Sequence, residues 1–280
     1  MPIFASIELA ARLERAECDL LADGIEAMAR LATLNNPMIR PIAGGLAVFA
    51  RDGSPFNKLA GLGFGGPPPE NELAEIECAF ASRAADLNIE LSTLADPAIA
   101  PMLTARGYQL VGFESVLGHA LHRLDNPRLP PDITITKIAD DQLSSWVDTV
   151  VSGFMTPDTQ GVASHEKLPR EAIEPAIRDF ASSRGFIAYL AAHGADLAAG
   201  AGLRIHGGIA QFCGSSTLPP HRRNGIQSAL LAHRLNDAAK AGCDLAVVVT
   251  QPGSKSMQNI QRRGFELLYN RAILQKPASE

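Results

Sequence analysis

The chain has 280 residues, and against ordinary domain sizes of roughly 100 to 200 residues that length predicts two domains. Apolar residues make up 46% and charged residues 20%, so there is apolar surface for a core and a soluble, folded protein is expected rather than a disordered one. The 25 basic and 30 acidic side chains leave a formal charge of -5, the wrong sign for non-specific binding to nucleic acid or anionic membranes, so neither partner is expected.

Apolar residues at Ile7, Leu9, Leu13, Leu20, Leu21, Ile25, Met28 and Leu31 recur at helical spacing, with Gly24 as the expected interruption. Asn35, Asn36 and Pro37 end that pattern, and strands are predicted over 46–51 and 59–64. A helix over 72–85 follows three prolines, with Asn71 in the position of its cap. Residues 88–94 and 108–121 read as strands, with a short helix starting near Pro97 between them. Pro127, Pro130 and Pro131 then stand among charged groups, the composition of a stiff linker, and a boundary is placed at 126–131 between domains 1–125 and 132–280.

Beyond the boundary a strand over 133–138 and helices over 140–154 and 170–183 precede three short strands, 186–192, 197–205 and 209–216. Turns at His193-Gly194 and Gly207-Gly208 make these an antiparallel meander. A helix over 224–241 stops at Gly242, and 245–249 is apolar on both faces, as a covered central strand requires. A short helix over 256–262 and a strand over 265–274 complete the chain. Arg106-Gly107-Tyr108 and Arg263-Gly264-Phe265 are each preceded by an Asp-Leu strand entry, Asp86-Leu87 and Asp244-Leu245, which predicts two copies of one α/β unit.

Cys18, Cys78, Cys213 and Cys243 stand far apart with no Cys-x-x-Cys pair, so neither a disulfide framework nor a zinc site is expected. The N-terminal alternation of Glu and Arg is not that of a secretory leader, and no stretch approaches the ~20 apolar residues of a membrane span. A cytoplasmic location follows as the expectation. His119 and His122 would face opposite sides of a strand and so form no metal pair.

The segment from Ser215 to Leu231 carries the chemistry: a strand end, a Pro-containing turn, a basic Gly-containing loop and a long helix in direct succession. Open N–H groups and the positive end of the helix dipole make such a junction an anion site fit for a pyrophosphate. Gly225 permits close approach, and Arg222 and Arg223 add charge.

Here the sequence resembles the GNAT superfamily of acyl-CoA N-acetyltransferases, whose signature is Arg/Gln-x-x-Gly-x-Gly/Ala. Arg222 and Gly225 match, while Gln227 replaces the small sixth residue and is expected to point its side chain away. The resemblance covers roughly residues 132–276, including the closing Arg-x-Gly-Phe at Arg262, Gly264 and Phe265. It implies two tandem GNAT-like domains of the α/β (α+β) class, each a mixed, mostly antiparallel sheet flanked by helices. It also implies acetyl-CoA as co-substrate, no metal, and transfer of an acetyl group to an amine of a small molecule or peptide. The amides of Arg223, Asn224, Gly225, Ile226, Gln227 and Ser228 would hold the pyrophosphate, and Ser215, Ser216 and Thr217 the pantetheine arm. Ser256 and Asn259 are further candidates along that arm, against a plain helix cap and solvated face.

The family's usual tyrosine acid falls at Ile260. Asn259 and Tyr269 remain as catalytic candidates, with Tyr189, Tyr108, His206, His221 and Cys213 weaker ones, each with a plain packing or solvated alternative. The first half resembles the same fold in degenerate form: at the cradle it has Gly66 followed by Pro67, Pro68 and Pro69, which lack donors. Its Gly61, Gly63 and Gly66 satisfy a dinucleotide fingerprint, but the prolines block the helix opening that such a site requires. That half is left to shape the acceptor cleft or a homodimer interface, and 156–168 is expected to be a mobile loop over the cleft. Two other classes of function stand beside the enzyme: a non-catalytic acyl-CoA-binding regulator and an interaction protein that kept the fold. Gly225→Pro is expected to abolish CoA binding with little loss of folding.

Overall fold

The computed structural model describes residues 3–31, 34, 36–121, 129–157, 162 and 169–278. Helix α1 (Ile7–Arg30) begins at Ser6, whose hydroxyl accepts from the Leu9 amide at 3.1 Å. Gly24 does not interrupt it. Leu20, Leu21, Ile25 and Met28 bury one continuous face around that glycine, which outweighs the ~1 kcal/mol that a helical glycine costs. Then come β1 (Met38–Ile42), β2 (Gly45–Phe49), β3 (Lys58–Ala60), α2 (Glu70–Ala81), β4 (Leu87–Ser92), α3 (Ile99–Ala105) and β5 (Gln109–Ala120).

The second half contributes β6 (Ile133–Lys137), α4 (Leu143–Met155), α5 (Arg170–Ala181) and the meander β7 (Phe186–His193), β8 (Asp196–His206) and β9 (Ile209–Thr217). It closes with α6 (Ile226–Lys240), β10 (Leu245–Thr250), α7 (Lys255–Gln261) and β11 (Glu266–Lys276). The order β1-β2-β3-α2-β4-α3-β5 thus recurs as β7-β8-β9-α6-β10-α7-β11, the duplication that the paired Arg-Gly motifs predict.

Two local expectations are corrected. β1 was missed because Pro41 and Arg40 spoil its pattern; the strand stands at the end of the sheet order, where a proline costs no ladder bond on the open side. α2 starts at Glu70 behind Pro69, so Asn71 lies inside the helix rather than at its cap.

The chain forms two compact units, Leu117–Glu266 and Phe4–Val116 with Leu267–Glu280. The division falls inside β5, not at 126–131, of which residues 126–128 lie outside the described residues. The last strand also changes sides: β11 joins the first-half unit, where it pairs antiparallel with β4 from Arg271↔Ser92 to Lys276↔Leu87. In that unit β1, β2 and β3 run antiparallel and β3 meets β4 in parallel. The second-half unit repeats the plan, with β6, β7, β8 and β9 antiparallel and β9 parallel to β10.

Each unit has its own core. Leu73, Ile76 and Phe80 of α2 pack with Leu59, Ile89 and Leu103 in the first-half unit. Leu230, Leu231 and Leu235 of α6 pack with Leu203, Phe212 and Ala246 in the second. On the other face of that sheet, Trp146, Val147 and Val150 of α4 pack against Ala188 and Leu190.

Candidate functional site

The parallel pairing of β9 with β10 runs from Ile209↔Leu245 to Phe212↔Val248 and stops, although β9 continues to Thr217 and β10 to Thr250. The two strands part there. On the other side of β9 the register slips between Gly202↔Cys213 and Gly200↔Ser216, so that Gly214 and Ser215 stand opposite Ala201 alone. Gly214 takes φ +53, a conformation that glycine adopts at no steric cost.

Beside the bulge, two buried side chains donate to carbonyls of β8. Trp146 Nε1 donates to the Ala201 carbonyl at 3.2 Å, and Arg234 Nη1 donates to the Gly202 carbonyl at 2.8 Å. The Arg234 guanidinium also lies 4.6 Å from the centre of the Phe212 ring, and burial lowers its pKa to about 10. Neither residue was among the sequence candidates. The signals were there: Trp146 is the chain's single tryptophan, and Arg234 is a charge on the apolar face of α6 beside Leu230, Leu231 and Leu235.

After β9 the chain makes a 3-10 turn at Pro219–His221 and enters α6 through Arg223 at φ 66 and Gly225 at φ 77. Gly225 is the N-cap residue and no side chain caps the helix. The consecutive amides of residues 223–228 have no acceptor among the described residues, while the next one, Ala229 N–H, donates to the Gly225 carbonyl at 3.0 Å. Arg223, Asn224 and Gly225 are exposed. Residues 223–228 thus form a run of open donors at a helix N-terminus. Because φ at Gly225 is positive, proline cannot take its place without displacing the loop, so the expectation that Gly225→Pro leaves the fold unharmed is corrected.

The side chains around the cradle do not all point where the sequence suggested. Arg222 turns away from the loop mouth: its Nε donates to the Thr217 carbonyl at 3.1 Å, and Nη2 reaches the carbonyls of Gly153, at 3.4 Å, and Thr156 at the end of α4. Ser216 is buried against α4, its hydroxyl donating to the Val150 carbonyl at 3.0 Å. Gln227 does not point away. Its Oε1 accepts from the Ser215 hydroxyl at 2.8 Å and its Nε2 donates to the Thr217 hydroxyl at 2.6 Å.

Ser256 is exposed and Asn259 half-buried on α7, and neither side chain has a partner among the described residues. The cap of that helix is Ser254, which accepts from the Met257 amide at 3.1 Å. Ile260 is buried in the core with Phe265. Tyr269 belongs to the first-half unit, where its hydroxyl donates to Glu14 at 2.8 Å. Burial and the neighbouring Glu14 charge raise its pKa, so it keeps its proton. Tyr189 donates to Asp237 at 2.9 Å and is raised by burial and by that bond, and burial and Glu77 raise Tyr108. None of the three tyrosines is a base near neutral pH. His221 Nδ1 faces His193 Nδ1 at 3.5 Å, and Cys213 is half-buried at the first position past the paired part of β9. His122 and most of 156–168 lie outside the described residues.

In the first-half unit the corresponding junction is closed. The amides of Gly63 and Gly65 both donate to the Ala43 carbonyl, at 3.2 and 3.0 Å, and a Cβ at Gly61 would stand 2.7 Å from Cys18 Sγ. Gly61 serves tight packing, and the amides of Gly63 and Gly65 are already held by Ala43.

Residues 152–265 match the model of the Acetyltransferase (GNAT) family. They form a GNAT-family domain. The structure of a GCN5-related N-acetyltransferase from Kribbella flavida is similar to the chain with a TM-score of 0.67 at 20% identity, covering 96% of each chain. A tandem GNAT protein from the clavulanic acid biosynthesis pathway, solved without AcCoA, gives 0.60 at 15% identity over 84% of this chain and 79% of that one. A GCN5-related N-acetyltransferase from Sphaerobacter thermophilus gives 0.55 at 14% over 75% and 64%. Among curated proteins none matches the chain. The likenesses establish the GNAT fold, and the tandem neighbour accords with the repeated element order. Among the described residues no group of three His, Cys, Asp or Glu could hold a metal ion, and no helix is long and apolar enough to cross a membrane.

Proposed function

We propose that the chain is an acyl-CoA-dependent N-acetyltransferase that moves an acetyl group from acetyl-CoA to an amine of a small molecule or peptide. The observation that carries this reading is the run of acceptor-free amides at 223–228, directly after a strand that has parted from its neighbour. The residues present fit the group: open donors and a helix dipole suit a pyrophosphate, and the unpaired edge of β9 beyond Phe212 suits an extended amide-bearing arm. Acetyl-CoA, when bound, supplies an activated thioester. The chain's own part is to fix the donors before binding, to offer the backbone of 215–217 to the arm, and to cover the sheet on the α4 side with Trp146 and Val150. Asn259 and Ser256, both without side-chain partners among the described residues, are available as polar contacts on α7.

A second reading, an acyl-CoA-binding regulator without turnover, is favoured by one observation: a buried Ile260 stands at the position of the usual acid. Release of free thiol from acetyl-CoA in the presence of amines separates the two readings.

The test of the shared site is titration of the protein with acetyl-CoA beside Ser228→Glu. A carboxylate in the first turn of α6 stabilises the helix by about 0.3–1 kcal/mol. The same charge repels a pyrophosphate. The expected result is binding by the wild type, weakened in a variant whose melting midpoint is unchanged or higher. A folded wild type that does not bind acetyl-CoA overturns the reading.

A further inference from the structure

Gln227 stands where the acyl-CoA signature calls for a small residue, and its side chain joins two parts of the cradle that the backbone leaves separate. Its amide nitrogen belongs to the open run at the start of α6, while its side-chain amide reaches back to the hydroxyls of Ser215, at 2.8 Å, and Thr217, at 2.6 Å. Past Phe212 the edge of β9 that faced β10 is open, while its other edge stays paired with β8 at Gly202↔Cys213, Gly200↔Ser216 and Ala199↔Thr217 on either side of the bulge, so side-chain contacts set how the open edge stands toward α6. Ser216 is tied to Val150, and the Thr217 carbonyl to Arg222. Ser215 and the Thr217 hydroxyl are tied to Gln227 alone among the described residues.

We propose that Gln227 is a positioning residue, a brace that fixes the free edge of β9 relative to the open amides of α6 and so presets the spacing between the two halves of the CoA site. The inference rests on the acyl-CoA reading above. A small residue at this position leaves the spacing to be set on binding; a glutamine that accepts from one hydroxyl and donates to the next sets it beforehand, which lowers the ordering cost of binding. Gln227 acts through Ser215 and Thr217 and needs no contact of its own side chain with the ligand.

The experiment is isothermal titration of the full chain with free CoA, using wild type, Gln227→Met, the pair Ser215→Ala with Thr217→Val, and the triple variant. Methionine keeps the length and removes both hydrogen bonds; Gln227→Ala serves as a second variant with no bulk against the strand. Losing two net hydrogen bonds, ~2 kcal/mol together, sets the expected scale, an affinity weaker by about thirtyfold. The pair should lose about as much as Gln227→Met, and the triple variant no more than the pair, because all three act through one link. Unchanged affinity in Gln227→Met, or losses that multiply in the triple variant, would overturn the brace. A contribution to folding alone would lower melting midpoints and leave the affinity intact, and so also counts against it. A wild type that fails to bind CoA refutes the acyl-CoA reading itself and the brace with it, an outcome recognised before any variant is compared.

Discussion

Gly153 on α4 faces Ser216 on β9 so closely that a Cβ on Gly153 would stand 2.3 Å from the Ser216 hydroxyl oxygen. Helix propensity alone would favour alanine there by ~1 kcal/mol. Overpacking costs about 1–3 kcal/mol, and Ser216 cannot swing aside cheaply because its hydroxyl is held on Val150 at 3.0 Å. Gly153→Ala should therefore lower stability by about 1 kcal/mol net. It should also weaken CoA binding by shifting Ser216 and Thr217. A thermal melt and a titration on the same preparation check both, and a more stable variant would show that Ser216 gives way to the methyl group at little cost.

Arg222 is the signature arginine, yet its guanidinium is spent on carbonyls: Thr217 at 3.1 Å, Gly153 at 3.4 Å and Thr156. A cation at a helix C-terminus and these hydrogen bonds together contribute about 1–2 kcal/mol in the absence of any ligand. Arg222→Ala should lower the melting midpoint of the ligand-free protein, and Arg222→Lys should recover little, since one ammonium cannot match the planar fork. A side chain kept only for phosphate would leave the ligand-free melt unmoved.

The strand-turn-helix junction was legible in the sequence because it is local. Residues 215–228 follow one another along the chain, and a strand end, a Gly-containing turn and an amphipathic helix leave their marks in that order. The meander and the apolar β10 were legible for the same reason. What escaped depends on partners far away in sequence. That β11 completes the first-half unit beside β4 is a pairing chosen by burial, which no periodicity in 265–274 records. With it went Tyr269, whose hydroxyl meets Glu14 rather than the candidate site. The aim of the Gln227 and Arg222 side chains depends on where β9 and α4 end, which the motif itself does not encode.

Arg271, carried into the first-half unit by β11, is buried among three carboxylates: Glu14 at 2.8 Å, Glu90 at 3.2 Å and Glu114 at 3.5 Å. Lys58 helps from the far side, 2.7 Å from Glu90 and 3.7 Å from Glu17. Removing one member of a buried ion pair costs about 3–5 kcal/mol, because the charge left behind is stranded away from water. Arg271→Met should cost at least that much and move the denaturant midpoint accordingly. Arg271→Lys keeps the charge but not the fork, and should fall between the two. A loss below about 1 kcal/mol in Arg271→Met would mean that the carboxylates take up protons and tolerate its absence.

That uptake of protons is centred on Glu114. Burial pushes its carboxyl up to about 7 from an ordinary 4.5, the Glu90 charge adds to the rise, and Arg271 and Lys58 oppose it. The folded chain thus holds a proton over a range in which the unfolded chain has released it. The contribution to stability is complete below the ordinary carboxylate value and is lost as pH rises through about 7. Glu14, raised chiefly by burial, pulls the same way; Glu90, lowered by Lys58 and Arg271 against the cost of burial, loses its contribution only on acidification, outside this window. The melting midpoint of the wild type should therefore fall by a few degrees between about pH 5 and about pH 8. Glu114→Gln, neutral throughout, should match the wild type near pH 5, exceed it near pH 8 and flatten most of that fall. Melts of both proteins across this range decide it: a variant that keeps the full slope would assign the titration to another group of the cluster.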